Sequence, residues 1–387
     1  TRTNLETEES IMVDKKLGGA GLRGQSAGET ALCTVGKTGS GLTYRGYDIK
    51  DLAANAQFEE VAYLLVYGKL PTQTELDAYK VRLKGMRSLP QALRTVLENI
   101  PKDAHPMDVM RTGCSMLGNL ETEASDFSDQ LDHIDRLLAV FPGMLNYWYN
   151  FSHNGIRIDV ETDADSIAEQ FLWTLHNKKP EPLHVDVMHA SLVLYAEHEF
   201  NASTFTGRVC ASTLSDIHSI VTAAIGSLRG PLHGGANEAA MDMIQQWQTP
   251  DEAEDAMMGM LARKEKIMGF GHAVYRESDP RNAIIKEWSK KLSEQVGDTH
   301  LYAVSERCEA VMWREKKLFC NADFFHASAY NFMGIPTKLF TPIFVCSRVS
   351  GWTAHAMEQR ANNRIIRPSA DYVGPDARDY VAIAERS

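Results

Sequence analysis

The stretch FEEVAYLLVYGKLPTQTE, residues 58–75, carries the pattern on which the fold prediction rests. Its first ten residues place apolar side chains at helical spacing, and Gly68 and Pro71 follow where a helix would end. Thr72 and Glu75 then form the sequence signature of a capping box, which predicts that a second helix begins at once. Two helices joined by a short turn are therefore predicted here.

The same helical pattern recurs along most of the remaining chain. Pro106 is a typical first helical residue, and the apolar stretch 131–151 contains Pro142, which should kink or split its helix. Further helices are predicted over 165–177, 184–200, 202–212, 215–228, 234–247, 250–264, 280–294, 301–317, 323–333 and 342–360. Strand signals are concentrated in the glycine-rich segment 18–47. The predicted class is therefore all-α, with a minor β-hairpin near the N-terminus.

Length and composition are ordinary for a globular protein. The chain has 387 residues, of which 44% are hydrophobic and 24% charged, and it contains no run of eighteen apolar residues. Its net charge of −11 argues against a broad nucleic-acid-binding surface. The six cysteines have no CxxC spacing, which is typical of thiols in a reducing compartment. We therefore expect a cytoplasmic protein without nucleic-acid or membrane partners, and a disordered lead over residues 1–17.

Two histidines flanked by glycines are candidate catalytic residues. His233 lies in PLHGGAN, residues 231–237, just before a predicted helix whose N-terminus disfavours a positive charge. A neutral imidazole that donates a hydrogen bond is one interpretation, and a histidine that caps its own helix is the other. His272 lies in GFGHAVYRESDPR, residues 269–281, where the glycines open the backbone to a ligand. The alternative for His272 is an ordinary surface loop.

Three arginines are candidates for binding an anion. Asp279 and Pro280 are predicted to start a helix, which places the cation of Arg281 in its first turn, against the helix dipole. An anionic ligand would compensate for this misfit. Arg348 lies in a nearly all-apolar predicted helix, and an unpaired charge there would cost several kcal/mol. Arg367 is a second arginine among apolar residues.

An aspartate and a further histidine complete the candidates. Asp323, in NADFF (residues 321–325), has aromatic neighbours, so desolvation would raise its pKa and make it a base. The alternative is that Asp323 caps the following helix. His198 follows Tyr195 by three residues, on one face of the predicted helix. The alternative for His198 is a hydrogen-bonded core histidine.

Five motifs follow one another in an order that resembles the citrate synthase superfamily: PLHGGAN, GFGHAVYRESDPR, NADFF, SRVSGWTAHAMEQR and RIIRPSADYVGP. The segments LTYRGYDIKDLA and AEHEFNASTF fit the same family, and the resemblance covers roughly residues 28–375. It implies an all-α homodimer with shared active sites. In each subunit, a small helical domain at 227–335 would be inserted in a large one formed by 1–226 and 336–387. The C-terminal segment would reach the partner subunit.

The resemblance also implies a role for each candidate. Asp323 is the general base that removes a proton next to the thioester, His233 stabilises the enolate, and His272 binds the oxaloacetate carbonyl and supplies a proton. The residues implied in oxaloacetate binding are His198, Arg281, Arg348 and Arg367. Those implied in coenzyme A binding are Lys266, Gly269, Gly271, Arg276 and Asn321. The coenzyme A thioester is a substrate, and neither a metal nor a permanently bound cofactor is implied.

The segments 145–158 and 165–180 are more similar to the 2-methylcitrate synthase branch of this family than to citrate synthases. This branch condenses propionyl-CoA with oxaloacetate and water, and we expect some use of acetyl-CoA. Small Ala322 and nearby Tyr195 are hypothesised to leave room for the extra methyl group.

Three alternative functions stay open at this point. They are a citrate synthase that uses acetyl-CoA, a metal-dependent hydrolase built on His184, His189 and His198, and a catalytically silent helical scaffold.

Overall fold

The computed structural model describes residues 21–22, 24–36, 41–298 and 300–387. Within these ranges most of the chain is helical, which confirms the predicted all-α class. The helices are, in chain order, α1 (Ile49–Asn55), α2 (Phe58–Tyr67), α3 (Gln73–Lys84), α4 (Gln91–Asn99), α5 (Pro106–Leu120), α6 (Gln130–Asn154), α7 (Ile167–His176), α8 (Pro182–Tyr195), α9 (Ala202–Ser212), α10 (Ile217–Leu228), α11 (Ala236–Ile244), α12 (Pro250–Ala262), α13 (Asn282–Val296), α14 (His300–Lys316), α15 (Ala322–Phe332) and α16 (Phe340–Ala361). The lead 1–17, predicted to be disordered, lies outside the described residues.

The strands form one small antiparallel sheet in the order β1 (Cys33–Val35), β2 (Leu42–Tyr44) and β3 (Tyr47–Asp48). Tyr44 is fully buried, and its hydroxyl donates to the carbonyl oxygen of Val193 at 2.9 Å. The sheet, which confirms the predicted β-hairpin, is thereby tied to the last turn of α8.

Local capping explains the bounds of α2 and α3. Gly68 adopts a φ of +90°, a conformation that favours glycine, and ends α2. The hydroxyl of Thr72 accepts from the amide of Glu75 at 3.2 Å, and the carboxylate of Glu75 accepts from the amide of Thr72 at 3.1 Å. The predicted capping box is therefore confirmed.

Helix α6 is continuous across Pro142, so of the predicted kink or split at this proline, the split is wrong. Every residue from 137 to 148 is buried. The helix packs against α3, α4, α5, α7, α10 and α16. Packing around the whole circumference maintains the helical backbone, although the proline removes one hydrogen bond.

Two short helices, α1 and α4, were not predicted from the sequence. Asp48 caps α1 by accepting from the amide of Lys50 at 2.8 Å, and only Leu93 and Leu97 of α4 are buried. About two to two and a half turns give too little periodic signal to distinguish such segments from loops. Within the described residues, no helix is long and apolar enough to cross a membrane.

Helix α16 passes very close to the chain that leaves α8, and Gly351 makes this approach feasible. A Cβ atom on Gly351 would lie 2.4 Å from the carbonyl oxygen of Ala196 and 2.8 Å from a carboxylate oxygen of Glu197. Real Cβ atoms do not approach backbone oxygens so closely, so any side chain here would push α16 away from α8.

We expect Gly351→Ala to lower the free energy of unfolding by about 1–3 kcal/mol, because a methyl group is forced into a filled interface. Urea denaturation followed by circular dichroism measures this. Gly259→Ala is the matched control, since Gly259 also lies within a helix but faces only the flexible end of Arg263 at 3.2 Å. That variant should be unchanged or more stable by up to about 1 kcal/mol. Equal stability of the two variants would contradict the packing argument.

Candidate active site

A cleft of about 660 Å³ brings together most of the predicted site residues. It lies between the chain after α8, the loops before α11 and α13, the start of α15 and the first half of α16. The predicted residues that line it are His198, His233, Lys266, Gly269, Gly271, His272, Arg281, Asn321, Asp323 and Arg348. Two predicted residues do not: Arg276 is exposed on the loop before α13, and Arg367 lines a separate cleft of about 810 Å³.

Asp323 occupies the first turn of α15, where its carboxylate faces Tyr195. The hydroxyl of Tyr195 donates to Asp323 Oδ1 at 2.6 Å. Burial raises the pKa of Asp323, and the hydrogen bond from Tyr195 opposes this rise only in part. The alternative role of Asp323 as a helix cap is wrong, because Asn321 caps α15 by accepting from the Asp323 amide at 3.0 Å. A mostly buried carboxylate that lines the cleft and has a raised pKa is well suited to accept a proton.

His233 is held as a neutral imidazole with one defined tautomer. Its Nε2 lies 2.8 Å from the hydroxyl of Ser203 and accepts from the Ser203 amide at 3.2 Å. Because a backbone amide can only donate, Nε2 carries no proton and Nδ1 carries it. Burial, helped by the charge of Arg348, lowers the pKa of His233 to about 4. The alternative of a histidine capping its own helix is wrong, since α11 has Gly235 at its N-cap.

His272 has the opposite tautomer. Its Nδ1 accepts from the amides of Val274 at 3.0 Å and Tyr275 at 3.3 Å, which leaves the proton on Nε2. Burial, with a smaller effect of Arg281, lowers the pKa of this imidazole to about 4. The backbone of its own loop thus prepares His272 as a neutral donor.

His198 lies beyond the end of α8, which the sequence analysis placed within the helix. The helix ends at Tyr195, and the Glu197 carboxylate accepts from the amide of Glu199 at 2.9 Å. This turn replaces the last helical residues and directs His198 to the cleft, where its ring centroid is 5.2 Å from that of His272. Burial lowers the pKa of His198 well below its usual value.

Arg281 is paired with a protein carboxylate, so the predicted misfit with the helix dipole is compensated without a ligand. Helix α13 begins at Asn282, two residues later than predicted, and Asp279 does not cap it. Instead, the Asp279 carboxylate accepts from Nε and Nη2 of Arg281 at 3.0 and 2.9 Å. It also accepts from the amide of Ala322 at 3.0 Å. Asp279 thereby connects Arg281 to the start of α15.

Arg348 retains an unsatisfied hydrogen-bond donor. Its Nε donates to the carbonyl oxygen of Tyr195 at 2.9 Å, and its guanidinium lies 4.3 Å from the ring centroid of Phe344. Its Nη2 is buried and has no hydrogen-bond partner among the described residues. An unpaired buried donor costs about 1–3 kcal/mol. Burial lowers the pKa of Arg348 to about 10, so the group stays charged at neutral pH and can bind an anion.

Glu197 supplies a buried negative charge behind Arg348 that the sequence analysis missed. Its carboxylate lies 2.8 Å from Nε2 of His355 and is fully buried. Burial alone would raise the pKa of Glu197, but His355 and Arg348 together hold it below its usual value. The distance in sequence between Glu197 and His355, 158 residues, explains why no local pattern revealed the pair.

The glycine-rich loop before His272 is pinned to the chain before α15. The amide of Asn321 donates to the Gly269 carbonyl at 2.9 Å, and the amide of Gly271 donates to the Phe319 carbonyl at 2.8 Å. Gly269 and Gly271 have φ angles of +92° and +72°, which favour glycine. A Cβ on Gly269 would lie 2.9 Å from the ring of Phe324. The backbone of this loop therefore forms one wall of the cleft.

The residues proposed for a hydrolytic metal site are not brought together. His184 contacts Gln295 at 2.9 Å, and His189 accepts from the Phe58 amide at 3.1 Å, so neither lines the cleft. In the part of the chain that the structure describes, no group of three or more His, Cys, Asp or Glu side chains is arranged to hold a metal ion. The hydrolase alternative therefore has no support from the geometry.

Comparisons with known proteins show which family the chain resembles. The family model described as citrate synthase, C-terminal domain, matches residues 21–369. A 2-methylcitrate synthase from Shewanella oneidensis is 73% identical over 372 residues, which are 96% of this chain and 99% of that relative. Citrate synthase 2 from Bacillus subtilis is 46% identical over 89% of this chain and 94% of its own length.

A solved structure extends the similarity to three dimensions. It is the ternary complex of citrate synthase from Thermoplasma acidophilum with carboxymethyl coenzyme A and oxaloacetate. It matches this fold with a TM-score of 0.87 and 33% sequence identity, over 95% of this chain and 98% of that one. The match of the family model and the relatives confirms the predicted resemblance, and the chain belongs to the citrate synthase family.

Proposed function

We propose that the chain condenses propionyl-CoA with oxaloacetate and water to give 2-methylcitrate and coenzyme A, with a lower use of acetyl-CoA. The observation that carries this proposal is the 73% identity, over 96% of the chain, with a 2-methylcitrate synthase. This confirms the predicted branch. The alternative of a citrate synthase is less favoured, because the relative of that name is only 46% identical.

Proton transfer from the acyl group is assigned to Asp323. Its carboxylate removes a proton from the carbon next to the thioester carbonyl, and the electron pair moves to the carbonyl oxygen. The Nδ1–H of His233 donates a hydrogen bond to this enolate oxygen. A neutral imidazole is suited to this task, because the acidity of its N–H group is close to the acidity of the enol that it stabilises.

Carbon–carbon bond formation is assigned to the oxaloacetate side of the cleft. The enolate carbon attacks the ketone of oxaloacetate, and the Nε2–H of His272 transfers its proton to the ketone oxygen. Water then hydrolyses the thioester to a carboxylate, the thiol of coenzyme A and a proton, which makes the overall sequence of steps irreversible in practice. Asp323 gives up the proton that it removed. Of these two protons, one restores the N–H of His272 and the other is released to solvent.

Oxaloacetate, a dicarboxylate, is assigned to His198, Arg281 and Arg348. The unsatisfied Nη2 of Arg348 supports this, because a carboxylate oxygen would remove the cost of a buried donor. Arginine forks also pair with carboxylates through two parallel hydrogen bonds. Arg367 is exposed and lies outside its own subunit's cleft. We therefore propose a homodimer in which Arg367 completes the cleft of the partner subunit.

We assign the binding of coenzyme A, as part of the thioester substrate, to the glycine-rich wall of the cleft. Lys266 is exposed at its rim, and the backbone of Gly269 and Gly271 faces the cleft beside Asn321. Arg276 is exposed beyond the rim, and we assign it to the phosphate groups of coenzyme A. Helix α15 packs on both α11 and α13, and α12 packs on α14. This supports 227–335 as a small domain that closes over the substrates and excludes water.

The function is tested by thiol release from acyl-CoA in the presence of oxaloacetate. We expect a kcat/KM for propionyl-CoA that exceeds that for acetyl-CoA about tenfold or more, since one methylene is worth about 1–3 kcal/mol. A chelator should not change either rate. A preference for acetyl-CoA would overturn the proposed branch, and no thiol release from either substrate would overturn the proposed reaction.

Asp323→Asn is expected to lower kcat by about 10²–10⁴-fold, because the amide cannot accept the proton. Binding of oxaloacetate, measured by calorimetry, should be retained. Asp126→Asn is the control, since Asp126 is an exposed loop residue that accepts only from Ser128. A turnover of Asp323→Asn close to that of the wild type would show that another group is the base.

The acyl pocket is tested through Tyr195 and Ala322. Tyr195 lines the cleft, whereas Ala322 is buried behind it and bonded through its amide to Asp279. We expect Tyr195→His and Ala322→Val to shift the ratio of kcat/KM values toward acetyl-CoA by about tenfold. Ala329→Val, a buried substitution on the same helix and away from the cleft, is the matched control. An unchanged ratio in both pocket variants would remove these two residues from the account of specificity.

A further inference from the structure

Tyr275 is a buried side chain that contacts both histidines assigned to oxaloacetate. It is 2% exposed, and its hydroxyl lies 2.9 Å from Nε2 of His198. Its ring centroid is 4.5 Å from that of His272, with an angle of 38° between the rings. Its backbone amide also donates to Nδ1 of His272 at 3.3 Å. Neither the general base nor the enolate donor involves this residue.

The direction of the hydrogen bond between Tyr275 and His198 follows from the available partners. Within the described residues, Nε2 of His198 is the one hydrogen-bond partner of the phenol. Burial lowers the pKa of His198 and raises the pKa of Tyr275, so both groups are neutral at physiological pH. A neutral phenol is the stronger donor of the two, and an imidazole nitrogen the stronger acceptor. The hydroxyl therefore donates to Nε2, and the proton of His198 is on Nδ1.

We propose that Tyr275 is a positioning residue for oxaloacetate, whose hydroxyl fixes His198 in the tautomer that donates through Nδ1. The Nδ1 of His198 has no hydrogen-bond partner in the parts of the chain that the structure describes. A carboxylate of oxaloacetate accepts hydrogen bonds but cannot donate them, so it requires a donor on this imidazole. The opposite tautomer would present a lone pair at Nδ1 and repel the anion.

The two contacts of Tyr275 make different contributions. The hydroxyl determines the tautomer of His198, whereas the ring lies against His272 and keeps that imidazole in place. His272 receives its own tautomer from backbone amides, which do not depend on the hydroxyl. Removing the hydroxyl alone should therefore affect oxaloacetate binding and leave the proton transfer at His272 intact.

Tyr275→Phe tests the inference, which rests on the proposed function because it takes oxaloacetate as the ligand of His198. We expect the Kd and KM for oxaloacetate to rise about three- to tenfold, as for the loss of one hydrogen bond. The kcat and the KM for propionyl-CoA should stay within about twofold of the wild type. Unchanged oxaloacetate binding in an active variant would overturn the role of Tyr275 but not the proposed reaction.

Tyr79→Phe is the matched control for a structural effect. Tyr79 is also a buried tyrosine, and its hydroxyl donates to Asp135 at 3.2 Å, in the contact of α3 with α6. Both variants should lose similar stability, but only Tyr275→Phe should lose affinity for oxaloacetate. Equal changes of oxaloacetate affinity in the two variants would show that Tyr275 is merely structural.

The tautomer itself is measured on the wild-type protein, so the inference can be tested even if Tyr275→Phe does not fold. Nitrogen-15 NMR of histidine-labelled protein, assigned through His198→Gln, should show His198 protonated on Nδ1. In Tyr275→Phe the same signal should change toward protonation on Nε2. A wild-type His198 protonated on Nε2 would overturn the proposal, whether or not the enzyme releases thiol from propionyl-CoA.

Discussion

The carboxylate of Asp279 holds the two halves of the catalytic cleft together. It accepts two hydrogen bonds from the guanidinium of Arg281 and one from the amide of Ala322, all between 2.9 and 3.0 Å. Arg281 belongs to the oxaloacetate side, and Ala322 directly precedes Asp323. One buried acceptor therefore fixes the arginine proposed to bind oxaloacetate relative to the carboxylate proposed as the general base. Asp279 and Arg281 are both buried, so the loss of either side chain would leave the charge of the other unpaired.

Burial in the cleft also prepares the three imidazoles to act as neutral hydrogen-bond donors. In water a histidine exchanges protons near neutral pH, and both of its tautomers are populated. Here burial keeps His198, His233 and His272 neutral, and each has one nitrogen occupied by a fixed donor. Two of these donors are backbone amides, whose positions are set by the fold rather than by side-chain rotamers. The proton of each ring is thereby assigned to the other nitrogen, from which it can be donated to a ligand without a change of tautomer.

Much of the fold was predictable from the sequence because helical periodicity and capping are local. The capping box at Thr72, the helix after Pro106 and the bounds of α9 all follow from residues within one or two turns. The candidate site was predictable where a residue type is anomalous in its local context, as for Arg348 in an apolar helix. Ser203, Glu197 and Tyr275 were missed, because each acts on a group that the fold brings from elsewhere. Asp323 was found, but its contact with Tyr195, 128 residues away, was not.

The buried charges around the cleft are relevant to the proposed contribution of Arg367 from a second subunit. Arg281 and Arg348 are the buried arginines that line the cleft, and the carboxylates of Asp279, Glu197 and Asp323 lie near them. Asp279 is paired with Arg281 and Glu197 with His355, and the carboxylate of Asp323 would repel the proposed dianionic ligand in a low-dielectric site. One further arginine, with a planar fork and a charge that burial does not remove, offsets this repulsion. Arg367 is exposed in its own subunit, outside its own cleft, and lies on the C-terminal segment that leaves α16. In the proposed homodimer, an arginine so placed would supply a positive charge to the cleft of the neighbouring copy, so substrate affinity and dimer formation are expected to depend on each other.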